Sequence, residues 1–314
     1  ITHVGYIKRL PLSTYRSQKR GGKGVSAHAT RENDFVEHLF MTSTHSYILF
    51  FTNKGRVYRL KAYEIPEAGR TAKGTAVVNI LPLDPDEKIA TVIPVKEFTD
   101  DSYLVMATKG GIIKKTALAE YDSSRKSGII GITLTEGDEL IDVKHTDGKK
   151  NIIMGTESGF AITFNEEDVR ATGRSSIGVK GIKLSDGDCV VGMDIAEEGK
   201  HILTVTQNGY GKLTKVSMYP VQNRAGKGVL NYKFNSKTGF VSGITCIDKD
   251  ANDIMMISND GVVIRMDSAG ISTMGRSTSG VKLMSLDEDI RIAAIAKVNK
   301  EQEQETDEET TPEN

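Results

Sequence analysis

Six glycines at nearly even spacing constrain this chain more than any other feature. Gly5, Gly55, Gly111, Gly159, Gly209 and Gly261 are separated by 50, 56, 48, 50 and 52 residues. Three positions before each stands Thr or Ser: Thr2, Thr52, Thr108, Thr156, Thr206 and Ser258. Ten positions after each stands an apolar or aromatic residue: Tyr15, Ile65, Tyr121, Val169, Tyr219 and Ile271. A second glycine follows nineteen positions on in five copies (Gly24, Gly74, Gly178, Gly228, Gly280) and seventeen on in the third (Gly128). A fixed period near fifty residues marks a repeat architecture. The chain is six copies of one unit, which for 314 residues displaces the usual expectation of two ordinary domains.

The second unit shows what one copy encodes. Tyr47–Thr52 is a strand-like apolar run, Asn53-Lys54-Gly55 a turn, and Arg56–Leu60 alternates as a half-buried strand does. Thr75–Leu81 reads as a third strand, Asp84–Glu87 as a tight acidic turn, and Ile89–Val95 as a fourth strand. No unit contains a 3.6-period helix of useful length. Four short strands repeated six times predict an all-β, six-bladed, propeller-like disc over residues 1–299, with short protected edges. The repeated glycines supply positive φ in the hairpin and in the blade connection, and the position ten residues on is core. The first copy lacks most of its first strand, so upstream residues or the C-terminal strand must complete that blade. The chain opens at Ile1 within a patterned segment, as an excised part of a longer protein would.

Much chemistry is missing. No GxxxxGK[ST] loop, GxSxG elbow or HExxH pair occurs, and no histidine lies in a metal-ligand spacing. Cys189 and Cys246 sit in apolar contexts with no CxxC pair, consistent with reduced, buried thiols of a cytosolic protein. No apolar run approaches a membrane span. An autonomous active site is not expected, and no catalytic residue, metal or cofactor is assigned. A propeller glycosidase or lyase would need acids and histidines converging on the central channel, and no such set is evident.

The net charge of −1 conceals a division. Residues 301–314 hold seven acids and no base, leaving residues 1–300 with 41 bases against 35 acids. The segment 300–314 is expected to be a disordered acidic tail, acting as a solubilising terminus or as a competitor for the basic body. Within that body the bases recur in register. After the anchor glycine come Lys8, Arg9, Arg59, Lys114, Lys115, Lys212 and Arg265. Before the second glycine come Arg70, Lys73, Arg125, Lys126, Arg174, Arg224, Lys227 and Arg276. Equivalent positions in a disc form a ring, and a ring of bases makes a track for a polyanion such as duplex DNA.

One copy is richer still: Gln18-Lys19-Arg20-Gly21-Gly22-Lys23-Gly24 packs three bases and three glycines into seven residues. Glycines let backbone N–H groups approach phosphates beside cationic side chains. This QKRGGKG segment resembles the box motif, Q(R/K)RGGKG, of the C-terminal domain of the DNA gyrase A protein. Weaker echoes stand at 69–74 (GRTAKG) and 223–228 (NRAGKG). The resemblance implies a β-pinwheel whose neighbouring blades exchange strands. It also implies double-stranded DNA wrapped on the basic rim, so that the parent type II topoisomerase introduces negative supercoils. The gyrase B protein and the N-terminal part of gyrase A are the implied protein partners, with ATP and Mg bound elsewhere in a cytoplasmic, nucleoid-associated enzyme. The corresponding protein of topoisomerase IV, which has a degenerate box, is the nearest alternative within the family. A protein-binding propeller scaffold is the alternative outside it.

Overall fold

A computed structural model describes residues 1–2, 5–11, 40, 42–69, 71–260 and 262–300. Unit 1 contributes β1 (Tyr6–Ile7), and unit 2 contributes β2 (Tyr47–Thr52), β3 (Arg56–Lys61), β4 (Thr75–Ala76) and β5 (Ile89–Val95). Unit 3 holds β6 (Tyr103–Thr108), β7 (Ile112–Ala117), β8 (Ile129–Ile130) and β9 (Leu140–Thr146). Unit 4 holds β10 (Asn151–Thr156), β11 (Phe160–Asn165), β12 (Val179–Lys180) and β13 (Val190–Ile195). Unit 5 holds β14 (His201–Thr206), β15 (Tyr210–Lys215), β16 (Val229–Leu230) and β17 (Val241–Ile247). Unit 6 holds β18 (Asn252–Ser258), β19 (Val263–Asp267), β20 (Val281–Lys282) and β21 (Ile292–Asn299).

The sheets do not follow unit boundaries. Their orders are β5-β2-β3-β8, β9-β6-β7-β12, β13-β10-β11-β16, β17-β14-β15-β20 and β21-β18-β19, with β1 paired to β4. Each blade therefore takes three antiparallel strands from its own unit and a two-residue outer strand from the next, which is the strand exchange of a pinwheel. Where the repeat count predicts six four-stranded blades, the described residues form five. Four have four strands, and the last has three among the described residues. Unit 1 supplies only β1, since residues 12–39 lie outside the described set. The acidic tail, 301–314, lies outside it too.

The third strand of each unit also departs from expectation. Thr75–Leu81 reads as one strand, but only Thr75–Ala76 pairs, and a 3-10 turn follows over Val77–Asn79. The exchanged strand leaves its ladder because its next N–H groups are captured by the anchor glycine of the preceding unit. Gly131 and Ile132 N–H donate to Gly55 O (2.8 and 3.1 Å), and Gly181 and Ile182 to Gly111 O (2.8 and 3.2 Å). Asn231 and Tyr232 donate to Gly159 O, Leu283 and Met284 to Gly209 O, and Val77 to Gly5 O. A Cβ on Gly55 would stand 2.4 Å from Ile132 O, and Gly55 itself has φ +76°. The anchor glycine is thus required both for the turn and for the landing of the next unit. The Thr before it closes the same turn: the hydroxyls of Thr52, Thr108, Thr156 and Thr206 accept the N–H of Arg56, Ile112, Phe160 and Tyr210 at 3.1–3.2 Å.

Blades pack face to face, so the first strand of a unit is buried on both sides and reads as a continuous apolar run. Ile48 and Phe50 join the cluster shared with unit 1, whereas Leu49 and Phe51 join Leu104 and Met106 of unit 3. Val105 and Ala107 in turn pack with Ile152 and Met154 of unit 4. Each large apolar side chain so buried contributes about 1.5–3 kcal/mol. The residues ten positions past the anchor glycine are buried as expected: Ile65, Tyr121, Val169, Tyr219 and Ile271. Cys246 is buried and Cys189 half-buried, both free.

The innermost strands β5, β9, β13, β17 and β21 pack in succession to form the hub. A polar network crosses all five. Thr91 donates to Asp142 (3.3 Å), and Lys144 bridges Asp142 and Asp194 at 3.3 and 3.9 Å. Asp194 also accepts from Thr245 (2.7 Å), Cys246 N–H (2.8 Å) and Lys297 (3.3 Å). Burial alone would raise the Asp194 carboxyl, but the two ammonium groups and two donors outweigh it and bring it to about 2.

Gly228 measures the seam between blades: it has φ +79°, and an added Cβ would meet Ala161 O at 2.3 Å. Gly228→Ala is expected to cost about 3 kcal/mol in chemical denaturation. Gly173→Ala, where a Cβ meets nothing within 4 Å, should change stability by less than about 0.5 kcal/mol. Equal effects from the two would contradict the close approach of the second glycine to the preceding unit's strand.

Candidate nucleic-acid interface

Because the hub strand lies at one edge of each sheet, the exchanged strand and its flanking loops form the outer edge. The bases named from the sequence divide there into two groups with different environments. Those after the anchor glycine lie on the seam between units. Lys114 and Lys212 have no exposed surface, and Lys115 is 7% exposed. The Lys212 ammonium donates to Asn231 O (2.7 Å), Gly275 O (2.8 Å), Arg276 O and Thr278 Oγ1 (3.1 Å). Lys114 donates to Gly131 O (2.8 Å) and Arg174 O, Lys115 to Glu166 O (2.8 Å), and Lys8 to Ala72 O (2.8 Å) and Gly69 O (3.2 Å). Hydrogen bonds to a charged group contribute about 1.5–3 kcal/mol each. The four acceptors around the three N–H bonds of the Lys212 ammonium offset only part of the several kcal/mol needed to desolvate it.

The remaining seam bases are paired with acids. Arg9 meets Glu67 (3.0 Å), Arg59 meets Asp122, and Arg265 meets Asp253 (2.7 Å). Arg9, Lys115, Thr163 and Leu213 occupy one register position, each bridged to a segment of the next unit at Glu67, Ala171, Val221 and Thr273. Lys114, Lys115 and Lys212 are shut off from water there and must find protein acceptors, whereas Arg9, Arg59 and Arg265 remain partly exposed.

The bases before the second glycine stand further out. Arg125, Lys126 and Lys227 are exposed. Lys73 and Lys227 sit over the rings of Tyr6 and Phe160 in the preceding unit, 4.2 and 4.6 Å from the centroids, a cation–π contact that orients the side chain. Arg174, Arg224 and Arg276 are half-buried and tie successive loops together. Their Nη1 groups donate to Ile130 O (3.0 Å), Lys180 O (3.1 Å) and Leu230 O (2.9 Å), the second residue of the exchanged strand one unit back. Gln18, Lys19, Arg20, Gly21, Gly22, Lys23, Gly24 and Arg70 lie outside the described residues.

Among the exposed bases not singled out from the sequence, four stand on or just past exchanged strands: Lys180 and Lys282 at the second position of β12 and β20, and Lys183 and Lys233 three residues beyond the ends of β12 and β16. Their signal was available as register, two and five positions past the second glycine. Lys183 and Lys233 are held against the next unit's loop by N–H bonds to Gly226 O (2.8 Å) and Thr278 O (3.1 Å). The exposed bases therefore stand beside the loops equivalent to the seven-residue box. The charged hub was not foreseen either. Each unit carries only one or two of its residues, and closure of the sheets brings them together. Among the described residues no group of His, Cys, Asp and Glu could hold a metal ion, and no helix is long and apolar enough to cross a membrane.

This architecture and its outer loops define a strand-exchanged β-propeller with a charged edge, and comparison with known proteins agrees. The family model described as "DNA gyrase C-terminal domain, beta-propeller" matches residues 1–43, 46–96, 102–147, 150–197, 200–248 and 252–299. The chain belongs to the DNA gyrase C-terminal domain family. It is 58% identical over 301 residues to the DNA gyrase A protein of Clostridium acetobutylicum, covering 96% of this chain and 36% of that protein. It thus spans about a third of the length of that relative. Among solved structures it is similar to a DNA gyrase A C-terminal domain (TM-score 0.82, 28% identity, 95% of this chain and 97% of that one). It is also similar to the C-terminal domain of a DNA topoisomerase IV (TM-score 0.78, 28% identity, 95% and 92%).

Burial, and then Arg276, lowers the Lys212 ammonium to about 8, and Lys114 is likewise brought to about 8 by burial and Arg174, against Glu120. Both lie below the unfolded value of 10.5. The cost of burying the charge is thus present in full below pH 8 and is relieved as pH rises from 8 towards 10.5. Two side-chain ammonium resonances titrating near 8 are expected by NMR. The stability of the native chain relative to Lys212→Met should rise over that interval. Titration of both groups above 10 would contradict this.

Proposed function

We propose that residues 1–299 wrap duplex DNA along the outer loops through contacts that are not sequence-specific. In the parent enzyme this would let ATP-driven strand passage introduce negative supercoils. The observation that carries the reading is the recurrence in register of exposed bases (Arg125, Lys126, Lys180, Lys183, Lys227, Lys233, Lys282) at the outer edge of successive blades. Bending even 20–30 bp by 40–90° costs on the order of 1–6 kcal/mol, so many phosphate contacts must act together. No recognition helix accompanies them among the described residues. The box, Gln18–Gly24, and Arg70 belong to the same track in this reading, and unit 1 supplies the sixth blade that β1 and β4 begin.

Similarity in structure favours gyrase and topoisomerase IV about equally, each at 28% identity. The intact QKRGGKG segment and the 58% identity to a gyrase A protein favour gyrase. On this reading the fragment catalyses nothing itself. Cleavage chemistry, ATP, Mg and the contact with gyrase B lie elsewhere in a cytoplasmic holoenzyme.

Binding of this chain to linear duplex should be tolerant of sequence and steeply dependent on salt. With roughly 6–10 phosphates contacted, affinity falls about 10³–10⁵-fold between 50 and 200 mM salt. A flat response in a gel-shift series, or preference for one short sequence, overturns the reading. Replacing Lys19, Arg20 and Lys23 together by Ala should abolish supercoiling by the reconstituted enzyme while cleavage and relaxation persist. Loss of all three activities would assign the box to assembly instead.

A further inference from the structure

The seam lysines alternate around the disc. Three positions after the anchor glycine, units 1, 3 and 5 carry Lys8, Lys114 and Lys212, whereas units 2, 4 and 6 carry Tyr58, Ile162 and Ile264. Each lysine reaches into the loop before the second glycine of the following unit, and the hold is most complete in unit 6. There Gly275 O and Arg276 O both turn inward to the Lys212 ammonium. In a trans peptide the C=O and N–H point in opposite directions. The N–H groups of Arg276 and Ser277 are therefore directed away from Lys212. Neither has an acceptor among the described residues, and Ser277 is exposed. Unit 4 repeats the arrangement in smaller form: Arg174 O faces Lys114, and the exposed Ser175 N–H has no acceptor among the described residues. The same two loops leave Arg174 Nε and Arg276 Nε buried without a partner. Unit 5 is different, because Ile162 rather than a lysine lies behind Gly226 and the Ala225 N–H is already bonded to Gly181 O (2.6 Å).

We propose that the adjacent N–H groups of Arg276 and Ser277 form a backbone seat for a phosphate oxygen, built and charged from behind by the buried Lys212, with Ser175 and Lys114 as its counterpart two units earlier. Successive N–H groups that point the same way make an anion-binding concavity. A cation beneath them strengthens it without offering the ligand a side chain. The phosphate contacts of the track then alternate in kind, with backbone seats in units 4 and 6 and side-chain contacts between them. Lys212 is a positioning residue here and does not itself touch the ligand.

The inference rests on the DNA-wrapping reading, and the experiment separates the two. The isotope-labelled chain is titrated with a short linear duplex and, separately, with inorganic phosphate, following the amides of Arg276, Ser277 and Ser175. Shifts with both ligands, or with duplex alone, support the seat, the second outcome restricting it to the phosphodiester. In parallel, Lys212→Met should retain a cooperative melt, and its slope of log K against log salt should fall by about 1, the loss of one phosphate contact. Duplex binding by the native chain with all three amides unmoved overturns the seat alone, as does a folded Lys212→Met with an unchanged slope. If the variant does not fold, the amide titration of the native chain decides. Absence of any duplex binding overturns the wrapping reading and the seat with it.

Discussion

The carbonyl of the anchor glycine is the joint on which the disc depends. It receives two successive N–H groups from the following unit in four of the described joints, at Gly55, Gly111, Gly159 and Gly209. That landing ends the exchanged strand after two residues and places its two paired residues on the outer edge of the preceding blade. The approach is closer than a side chain permits, as the 2.4 Å between a hypothetical Cβ on Gly55 and Ile132 O shows. Repetition of the joint at about fifty-residue intervals sets the stacking of the sheets. The stacking in turn buries both faces of the first strands.

The same joint sorts the charges. A base shut into the seam loses water and must find backbone carbonyls, which is the condition of Lys114 and Lys212, whereas Arg59 and Arg265 stay partly exposed and pair with carboxylates. A base a few residues either side of the exchanged strand remains in solvent, as Lys126, Lys183 and Lys233 do. Register alone therefore does not make a ring of ligand contacts. Two rings arise from it, one internal that holds loops in place and one external that is free to meet a polyanion. The half-buried arginines Arg174, Arg224 and Arg276 belong to both, fixing each loop to the blade behind it.

The hub shows the opposite case, in which charge is gathered and not displaced. Asp142, Lys144, Asp194 and Lys297 come from three units that share no motif at these positions, yet the inner strands bring them into one network. Its effect is to tie five blades together about the axis. Loss of the cations around Asp194 would leave a buried charge uncompensated, a change that typically costs about 3–5 kcal/mol.

The period of the glycines, the Thr three residues before them and the apolar runs were enough to determine an all-β repeat protein and the bounds of most strands, because hairpin turns and two-sided burial are local in origin. Tyr47–Thr52 and Ile89–Val95 are strands with the bounds expected of them. The box motif likewise stated the family on seven residues. Strand exchange was implied by the resemblance of the box, but only the tertiary structure decided that the third strand is the one lent and that it stops after two residues, because the carbonyl that captures its N–H groups is supplied by the preceding unit's anchor glycine. Only it decided that Lys114 and Lys212 face inward while Lys180 and Lys282 face outward. A lysine carries the same letter in both settings, and its role depends on whether the next unit's backbone or water surrounds its ammonium.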